Sequence, residues 1–251
     1  MPECIRSTNL LLLPGMMCDA GLWASQVQAI SPICSVFHGD ITGDNSIQSI
    51  ASNVLDGAPQ QFALAGLSMG GIVAMEMWRQ APHRIERIAL LDTNFHADTD
   101  EKRTMRNRQM DEVRQGALGA ILRDELKPNY LARCHRENTA LLDDVLYMGM
   151  GLGDDVFVRQ SEALRDRPDS ADTLTTINCP TLVLCGEEDD LCSPALHREM
   201  AAMITSSRLR IIPECGHLST MEQPSAVNAA LLNWFKDNES EIGRASCRER
   251  V

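Results

Sequence analysis

Residues 62–71 read Phe62-Ala-Leu-Ala-Gly-Leu-Ser-Met-Gly-Gly71, an apolar run that passes directly into a glycine-rich turn. The run is short and has no polar residue, which is typical of a strand buried on both faces of a parallel sheet. The residues that follow, Ile72 to Gln80, carry a helical pattern. This stretch therefore predicts a strand, a sharp turn and a helix, with Ser68 at the turn.

Apolar runs of the same kind alternate with helical patterns on both sides of this stretch. The other predicted strands are 9–13, 33–37, 85–91, 181–185 and 208–212. The other predicted helices outside the middle of the chain are 22–30, 47–55, 195–203 and 226–235. Strand followed by helix, repeated along a chain, is the pattern of an α/β protein. We therefore predict a mostly parallel sheet of about six strands flanked by helices.

The middle of the chain breaks this rhythm. Residues 96–176 contain helical patterns at 98–122, 141–150 and 156–164 and no convincing strand. Because the segment follows directly on the end of a predicted strand, we expect it to form a helical lid over a site at the carboxyl edge of the sheet. The predicted division is a core of residues 1–95 and 177–240 with the lid at 96–176.

Composition excludes several classes of protein. The 251 residues are 44% hydrophobic and 23% charged, as in globular proteins. The formal net charge of −12 repels phosphate backbones and anionic lipids, so neither nucleic acid nor a membrane is an expected partner. The apolar run Leu10 to Leu13 is too short for a signal-peptide core, which favours a cytoplasmic location. The nine cysteines form no C-x-x-C pair and no zinc pattern, so we expect buried thiols and no metal.

The last residues, 241–251, follow the final predicted helix and have no apolar periodicity. They can be back-translated to a DNA string that resembles a common sequencing adapter. We therefore expect this tail to be non-native, and we leave it out of the interpretation of the fold.

The turn at Ser68 has the G-x-S-x-G form of a nucleophile elbow, and its context of strand before and helix after agrees with that motif. Such a turn is sharp, and side chains two positions on either side of the nucleophile would collide, so Gly66 and Gly70 are expected there. The turn would present the Ser68 hydroxyl at the positive end of a helix. The Met69 N–H would then point at the reacting oxygen of a substrate.

Two segments beyond the middle of the chain complete a family pattern. They read Pro180-Thr-Leu-Val-Leu-Cys-Gly-Glu-Glu-Asp-Asp-Leu-Cys-Ser-Pro194 and Ile211-Ile-Pro-Glu-Cys-Gly-His-Leu-Ser-Thr-Met-Glu-Gln-Pro224. With Ser68, they resemble the strand-end acid loop and the histidine loop of the α/β-hydrolase superfamily. The resemblance extends over essentially the whole chain up to the tail and implies the order serine, acid, histidine. It assigns Asp189 as the acid and His217 as the base of a catalytic triad.

The acid leaves two alternatives open. Asp190 is adjacent and would take the role after a slip of one residue. Asp92 ends a predicted strand, and some members of the superfamily carry their acid at that strand end. We favour Asp189, because Gly186 three residues earlier fits the loop that follows the strand.

The remaining histidines are not in comparable loops. His83 and His197 are expected on helix surfaces, and structural or solvated positions are expected for His38, His96 and His135.

The second oxyanion donor is expected in the segment from Leu10 to Trp23, which resembles the family's loop after the first central strand. That loop usually reads His-Gly, and here Pro14 stands in place of the histidine. The donor is a backbone N–H, so the match assigns it to Met16, with Met17 as the second choice. The replacement removes the hydrogen bonding that normally braces the loop.

Together these residues imply a serine hydrolase that cleaves a carboxylic ester, or a related lactone or thioester, in a small-molecule acyl substrate. The same triad would also serve C–C bond hydrolysis, amide hydrolysis or perhydrolysis. A non-catalytic receptor or scaffold of the same fold is the third interpretation. No nicotinamide fingerprint or phosphate-binding loop occurs, so no cofactor is expected.

Overall fold

The computed structural model describes residues 9–126 and 129–236, so the tail 241–251 lies outside the described residues. The strands are β1 (Asn9–Leu13), β2 (Ser35–His38), β3 (Phe62–Leu67), β4 (Ile85–Leu91), β5 (Thr181–Gly186) and β6 (Ser207–Ile212). All neighbouring strands are parallel, in the order β2-β1-β3-β4-β5-β6. The predicted α/β class and six-stranded sheet are confirmed.

Burial explains which strands the apolar pattern located best. The inner strands β3 and β5 are buried at every residue, whereas the edge strands β2 and β6 are partly exposed. Strand β2 begins two residues later than predicted, because the preceding residues still turn out of a helix, with the Cys34 N–H donating to the Ile30 carbonyl. An edge strand has one side facing solvent, so its apolar signal is weaker.

Helices cover both faces of the sheet. They are α1 (Ala24–Ile30), α2 (Ile47–Gly57), α3 (Met69–Gln80), α4 (Asp100–Arg114), α5 (Leu118–Ala120), α6 (Thr139–Leu152), α7 (Asp154–Arg165), α8 (Ala171–Thr176), α9 (Pro194–Met203), α10 (Ser219–Glu222) and α11 (Pro224–Lys236). Alternate leucines of β1 enter different layers: Leu11 and Leu13 pack with α2 and α3, and Leu10 and Leu12 pack with α1 and α11. Among the described residues, no helix combines the length and apolarity needed to cross a membrane.

The segment between β4 and β5 contains helices α4 to α8, joined by loops, and no strand in its described part. The single helix predicted at 98–122 is instead interrupted after α4. Gly116 has a φ of 91°, a left-handed conformation that glycine adopts without strain, and its N–H donates to the Val113 carbonyl to end the helix. The inserted helices have a small apolar core of their own, which includes Val113 and Phe157 and contacts Met17.

The seven cysteines that the structure describes are all free thiols, and six are buried. Their burial agrees with the prediction that they pack as small apolar residues.

Candidate active site

Ser68 stands between β3 and α3 in a strained backbone conformation, with φ 53° and ψ −115°. A non-glycine residue rarely takes a positive φ, and such residues cluster at functional sites. The glycines permit the turn, because a Cβ on Gly66 would meet the Gly70 carbonyl and a Cβ on Gly70 would meet the Leu13 carbonyl. The elbow predicted from the sequence is therefore the turn that the chain makes.

Three residues from distant parts of the chain meet in one line of hydrogen bonds. His217 Nε2 lies 2.9 Å from Ser68 Oγ, and His217 Nδ1 lies 2.9 Å from Asp189 Oδ2. A carboxylate only accepts, so the Nδ1–H donates to Asp189 and leaves Nε2 to accept the serine proton. His217 is 4% exposed and Asp189 2%, whereas Ser68 is only half-buried. This arrangement can take a proton from a serine that remains accessible.

Asp189 is held as a charged group by its neighbours. Its Oδ1 accepts the N–H groups of Leu191 at 2.9 Å and Cys192 at 2.8 Å. Burial by itself would raise the pKa of Asp189, but the charge and hydrogen bond of His217 and the Cys192 N–H outweigh burial and hold that pKa below its usual range.

The contact between Asp189 and His217 shifts the pKa of the histidine upward. Burial by itself would lower the pKa of His217, and the adjacent Asp189 carboxylate raises it well above the usual value.

Asp92, the alternative acid, is fully buried at the end of β4 but bonds elsewhere. Its Oδ1 accepts the Gly186 N–H at 3.0 Å, and its Oδ2 accepts the Ser219 hydroxyl. Burial, and then the nearby Asp189 charge, raise the pKa of Asp92 well above the usual value. Asp190, the other alternative, is exposed and lies 3.6 Å from Arg136. The geometry thus brings Asp189, and neither alternative, into hydrogen-bonding contact with His217.

Glu222 braces the histidine loop, a role that the sequence reasoning missed. Its Oε1 accepts the Gly216 N–H at 2.9 Å, and its Oε2 accepts the Ala132 N–H at 2.8 Å and lies 3.1 Å from His135 Nδ1. The carboxylate therefore ties the loop before His217 to the inserted segment. In the sequence, Glu222 is part of a Glu-x-Pro pattern that ends at Pro224. This pattern indicates the start of a helix but not the contact with the histidine loop.

His197 is not on a helix surface, and that expectation was wrong. The side chain is fully buried, and its Nε2 accepts the Thr93 N–H at 3.1 Å. Thr93 in turn donates its hydroxyl to the Ser68 carbonyl at 2.6 Å. Helix α9 packs this face against the sheet, so His197 supports the elbow from behind.

The loop after β1 has its own brace. The Met17 N–H donates to Gln160 Oε1 at 2.8 Å, and Gln160 also donates to the Ile41 carbonyl at 3.3 Å. Gln160 on α7 thus supplies bracing where Pro14 replaces the family's histidine, and it engages the second-choice donor Met17. Within the described residues, neither the Met16 nor the Met69 N–H donates to a protein acceptor.

These groups meet at one cavity of about 170 Å³. Its wall includes Met16, Ser68, Met69 and His217 from the core and Met105 and Tyr130 from the inserted segment. One cavity is therefore lined by the serine, the histidine and both residues predicted to supply the oxyanion donors.

Three side chains at this position, including the histidine, carry atoms that can bind a metal. Ligand atoms of Asp189, Cys192 and His217 lie within 4.8 Å of one another. The Asp189 and His217 atoms already bond to each other, so a metal would have to break that contact. The sequence-based expectation that the protein uses no metal or other cofactor stays a prediction.

Comparison with known proteins identifies the class to which this fold and site correspond. The model of the alpha/beta hydrolase family matches residues 10–230, and the chain belongs to that family. A protein of Mycobacterium tuberculosis H37Rv, provisionally named non-heme bromoperoxidase BpoC, is 30% identical over 197 residues, which are 72% of this chain and 70% of the relative.

Solved structures show the same fold. A thermophilic esterase from Thermogutta terrifontis has a TM-score of 0.84 and 28% identity, covering 91% of this chain and 89% of the esterase. The enol-lactonase from Burkholderia xenovorans LB400 has a TM-score of 0.83 and 22% identity and covers 92% of each chain.

Proposed function

We propose that this protein is a serine hydrolase that cleaves a carboxylic ester or a closely related lactone or thioester. The observation that carries the proposal is the continuous contact from Ser68 through His217 to Asp189, with both distances at 2.9 Å. A nucleophile, a base and a group that orients the base are the requirement for acyl transfer by this route.

The proposed reaction has two halves. Ser68 Oγ attacks the carbonyl carbon while His217 Nε2 takes the serine proton, and the carbonyl oxygen becomes negative. His217 then gives the proton to the leaving alcohol, which departs from an acyl-serine. Water attacks that acyl group by the same proton route and releases the acid and the free serine. Asp189 keeps the Nδ1 proton in place and stabilises the imidazolium formed in each half.

We assign the oxyanion site to the Met16 and Met69 N–H groups. Met69 is the first residue of α3, where N–H groups have no partner inside the helix. The Met17 N–H is engaged with Gln160, which leaves the preceding amide for the substrate. Two donors aimed at the developing negative charge would supply the main electrostatic stabilisation.

We further propose that the inserted segment acts as a lid. Residues of α4 and Tyr130 line the cavity, and the His217 N–H donates to the Tyr130 carbonyl at 2.7 Å. The segment thus touches both the cavity and the histidine loop, as a cover over the reaction requires.

The relatives support an acyl substrate, since one structural neighbour is named an esterase and another an enol-lactonase. C–C bond hydrolysis and amide hydrolysis use the same residues and remain alternatives. The relative named a bromoperoxidase favours one further assay, with hydrogen peroxide and bromide added. A non-catalytic scaffold would show no turnover in any of these assays.

The test is Ser68→Ala. Wild type should hydrolyse p-nitrophenyl acetate and react with a fluorophosphonate probe, and the variant should do neither, because the nucleophile is absent. Ser31→Ala, at an exposed serine after α1, is the matched control and should behave as wild type. Labelling that survives Ser68→Ala would place the nucleophile elsewhere, and absence of both reactions in folded wild type would favour the scaffold.

A further inference from the structure

The cavity has a charge opposite to that of the chain. Four charged side chains line it besides His217: Asp98, Lys102, Arg106 and Arg167. They are three cations and one carboxylate, whereas the whole chain has a net charge of −12. When His217 is neutral, the Asp189 carboxylate behind it adds one further negative charge, so these groups together keep one positive charge in excess. The space beside Ser68 is therefore a positive pocket in an acidic protein, and it would attract an anion.

One carboxylate serves two guanidinium groups in this pocket. Asp98, whose side chain is fully buried, lies 2.6 Å from Arg106 Nε and 2.7 Å from Arg167 Nη1. Arg167 Nε also donates to the His96 carbonyl and its Nη1 to the Leu164 carbonyl, and the side chain is almost fully buried. Asp98 can neutralise only one of the two arginines. The two arginines therefore keep one positive charge in excess, and both line the cavity.

Among the described residues, the far end of Arg106 has no strong acceptor. Its Nη1 lies 3.9 Å from the Met16 sulfur, and a thioether accepts hydrogen bonds only weakly. The side chain is only 15% exposed, so water can reach little of it. A partly buried guanidinium with open donors is unfavourable unless an acceptor arrives, and a carboxylate matches its fork of N–H groups.

Met16 also places this guanidinium relative to the chemistry. Its N–H is the proposed oxyanion donor and its sulfur contacts Arg106, so the length of one methionine side chain separates the guanidinium from the proposed position of the scissile carbonyl. Lys102 lies one turn earlier on α4, on the same face, and lines the same cavity. No carboxylate in the described part of the chain is within ion-pair distance of Lys102, which is exposed at the cavity mouth.

We propose that the substrate carries a carboxylate close to its scissile ester or lactone carbonyl, and that Arg106 binds this carboxylate while Lys102 attracts it. The inference rests on the proposed hydrolase function. The cavity of about 170 Å³ is below the range of roughly 300–1,000 Å³ that is typical of pockets for drug-sized ligands, so the acyl group is small. The substrate class is a half-ester of a short dicarboxylic acid or a small carboxylated lactone. Hydrolysis adds one water and yields a dicarboxylic acid with its alcohol, or a hydroxy dicarboxylic acid from the lactone.

The experiment compares two methyl esters that differ in one charge. Monomethyl glutarate carries the carboxylate, and methyl valerate has an acyl chain of the same carbon number without it. We expect wild type to have the higher kcat/KM for monomethyl glutarate. Arg106→Gln should reduce the ratio of the two values by roughly 10- to 100-fold, the range for losing a hydrogen bond to a charged group, mainly through KM.

Three further variants separate binding from folding. Lys102→Gln changes an exposed side chain and should lower the ratio by about 3-fold, as expected for a solvent-exposed charge pair. Arg103→Gln removes a charge from the same helix at an exposed position outside the cavity wall, and it should leave the ratio unchanged. Arg106→Lys keeps the charge and should recover part of the ratio. Glutarate should inhibit p-nitrophenyl acetate hydrolysis competitively in wild type and less in Arg106→Gln.

The outcomes distinguish this inference from the function on which it rests. Ser68-dependent hydrolysis of p-nitrophenyl acetate with equal or lower kcat/KM for monomethyl glutarate, and no inhibition by glutarate, would overturn the carboxylate site alone. A preference that Arg106→Gln, Lys102→Gln and Arg103→Gln all leave unchanged would also overturn it. Absence of Ser68-dependent hydrolysis would overturn both proposals.

Discussion

Asp92 and Asp189 follow neighbouring parallel strands and are both buried. They lie so close that the negative charge of Asp189 raises the pKa of Asp92. The pKa values of the two carboxyl groups nevertheless shift in opposite directions: the pKa of Asp92 is raised and that of Asp189 is lowered. The difference lies in their partners. Asp189 faces His217 and two backbone N–H groups, whereas the Asp92 carboxyl bonds to Gly186 and Ser219.

A position at the end of a strand therefore does not by itself determine which carboxylate contacts the histidine. What matters is which groups the carboxylate meets after the strand. Asp189 lies three residues beyond β5, in a loop long enough to reach the histidine. Asp92 follows β4 directly, in a left-handed conformation with φ 45°, and its carboxyl holds the acid loop and the histidine loop in place.

The largest expected effect comes from changing the two carboxylates to amides in turn. Asp189→Asn keeps the shape but favours the wrong imidazole tautomer, and kcat/KM should fall by roughly 10⁴-fold. Asp92→Asn should stay within about 3-fold of wild type, because the amide oxygen can still accept the Gly186 N–H and the amide NH2 can donate to the Ser219 hydroxyl oxygen. Asp190→Asn, at an exposed residue, is the control. If Asp92→Asn were instead the inactive variant, the acid would belong to β4 and the assignment of Asp189 would be wrong.

The pH dependence of kcat/KM sharpens the same contrast. His217 must be neutral to take the serine proton, so activity should rise with pH through the His217 pKa, above the usual value of about 6.5. In Asp189→Asn the residual activity should have its midpoint at lower pH, because burial is then no longer opposed by the carboxylate. The midpoint in Asp92→Asn should match wild type. A shift caused by Asp92→Asn alone would show that Asp92 carries the charge that His217 senses.

The smallest effect is on stability. The folded pKa of Asp92 is raised, so above about pH 4 the unfolded chain releases this proton while the folded protein keeps it. The contribution of Asp92 to stability is therefore complete at low pH and is lost as pH rises through the folded pKa. Urea unfolding at pH 5 and pH 8 should show Asp92→Asn gaining stability relative to wild type at the higher pH. A relative gain at the lower pH would mean that the Asp92 pKa is lowered instead.

The sequence by itself determined the elements that local physics controls. Most of the inner strands are continuous apolar runs, and β1 and β4 have the bounds that the sequence predicted. The turn at Ser68 brings backbone atoms close to Gly66 and Gly70, where a side chain would not fit. The sequence alone therefore shows this turn as a glycine-containing motif. The order of serine, acid and histidine loops was equally visible, and the structure brings Ser68, His217 and Asp189 into contact as that order implied.

Only the tertiary structure decided the choices that depend on contacts between distant segments. Asp189 and Asp92 are both acids after strands, and only the folded loops show which one meets His217. Met16 and Met17 are adjacent methionines, and only the folded chain shows that Gln160 from α7 accepts the Met17 N–H. In the sequence, Arg106 is one of many charged residues on a polar helix. Only the folded chain shows that it is largely buried with Asp98 beside Met16. Local patterns encode burial and turns, but partners separated by many residues are selected only when packing brings them together.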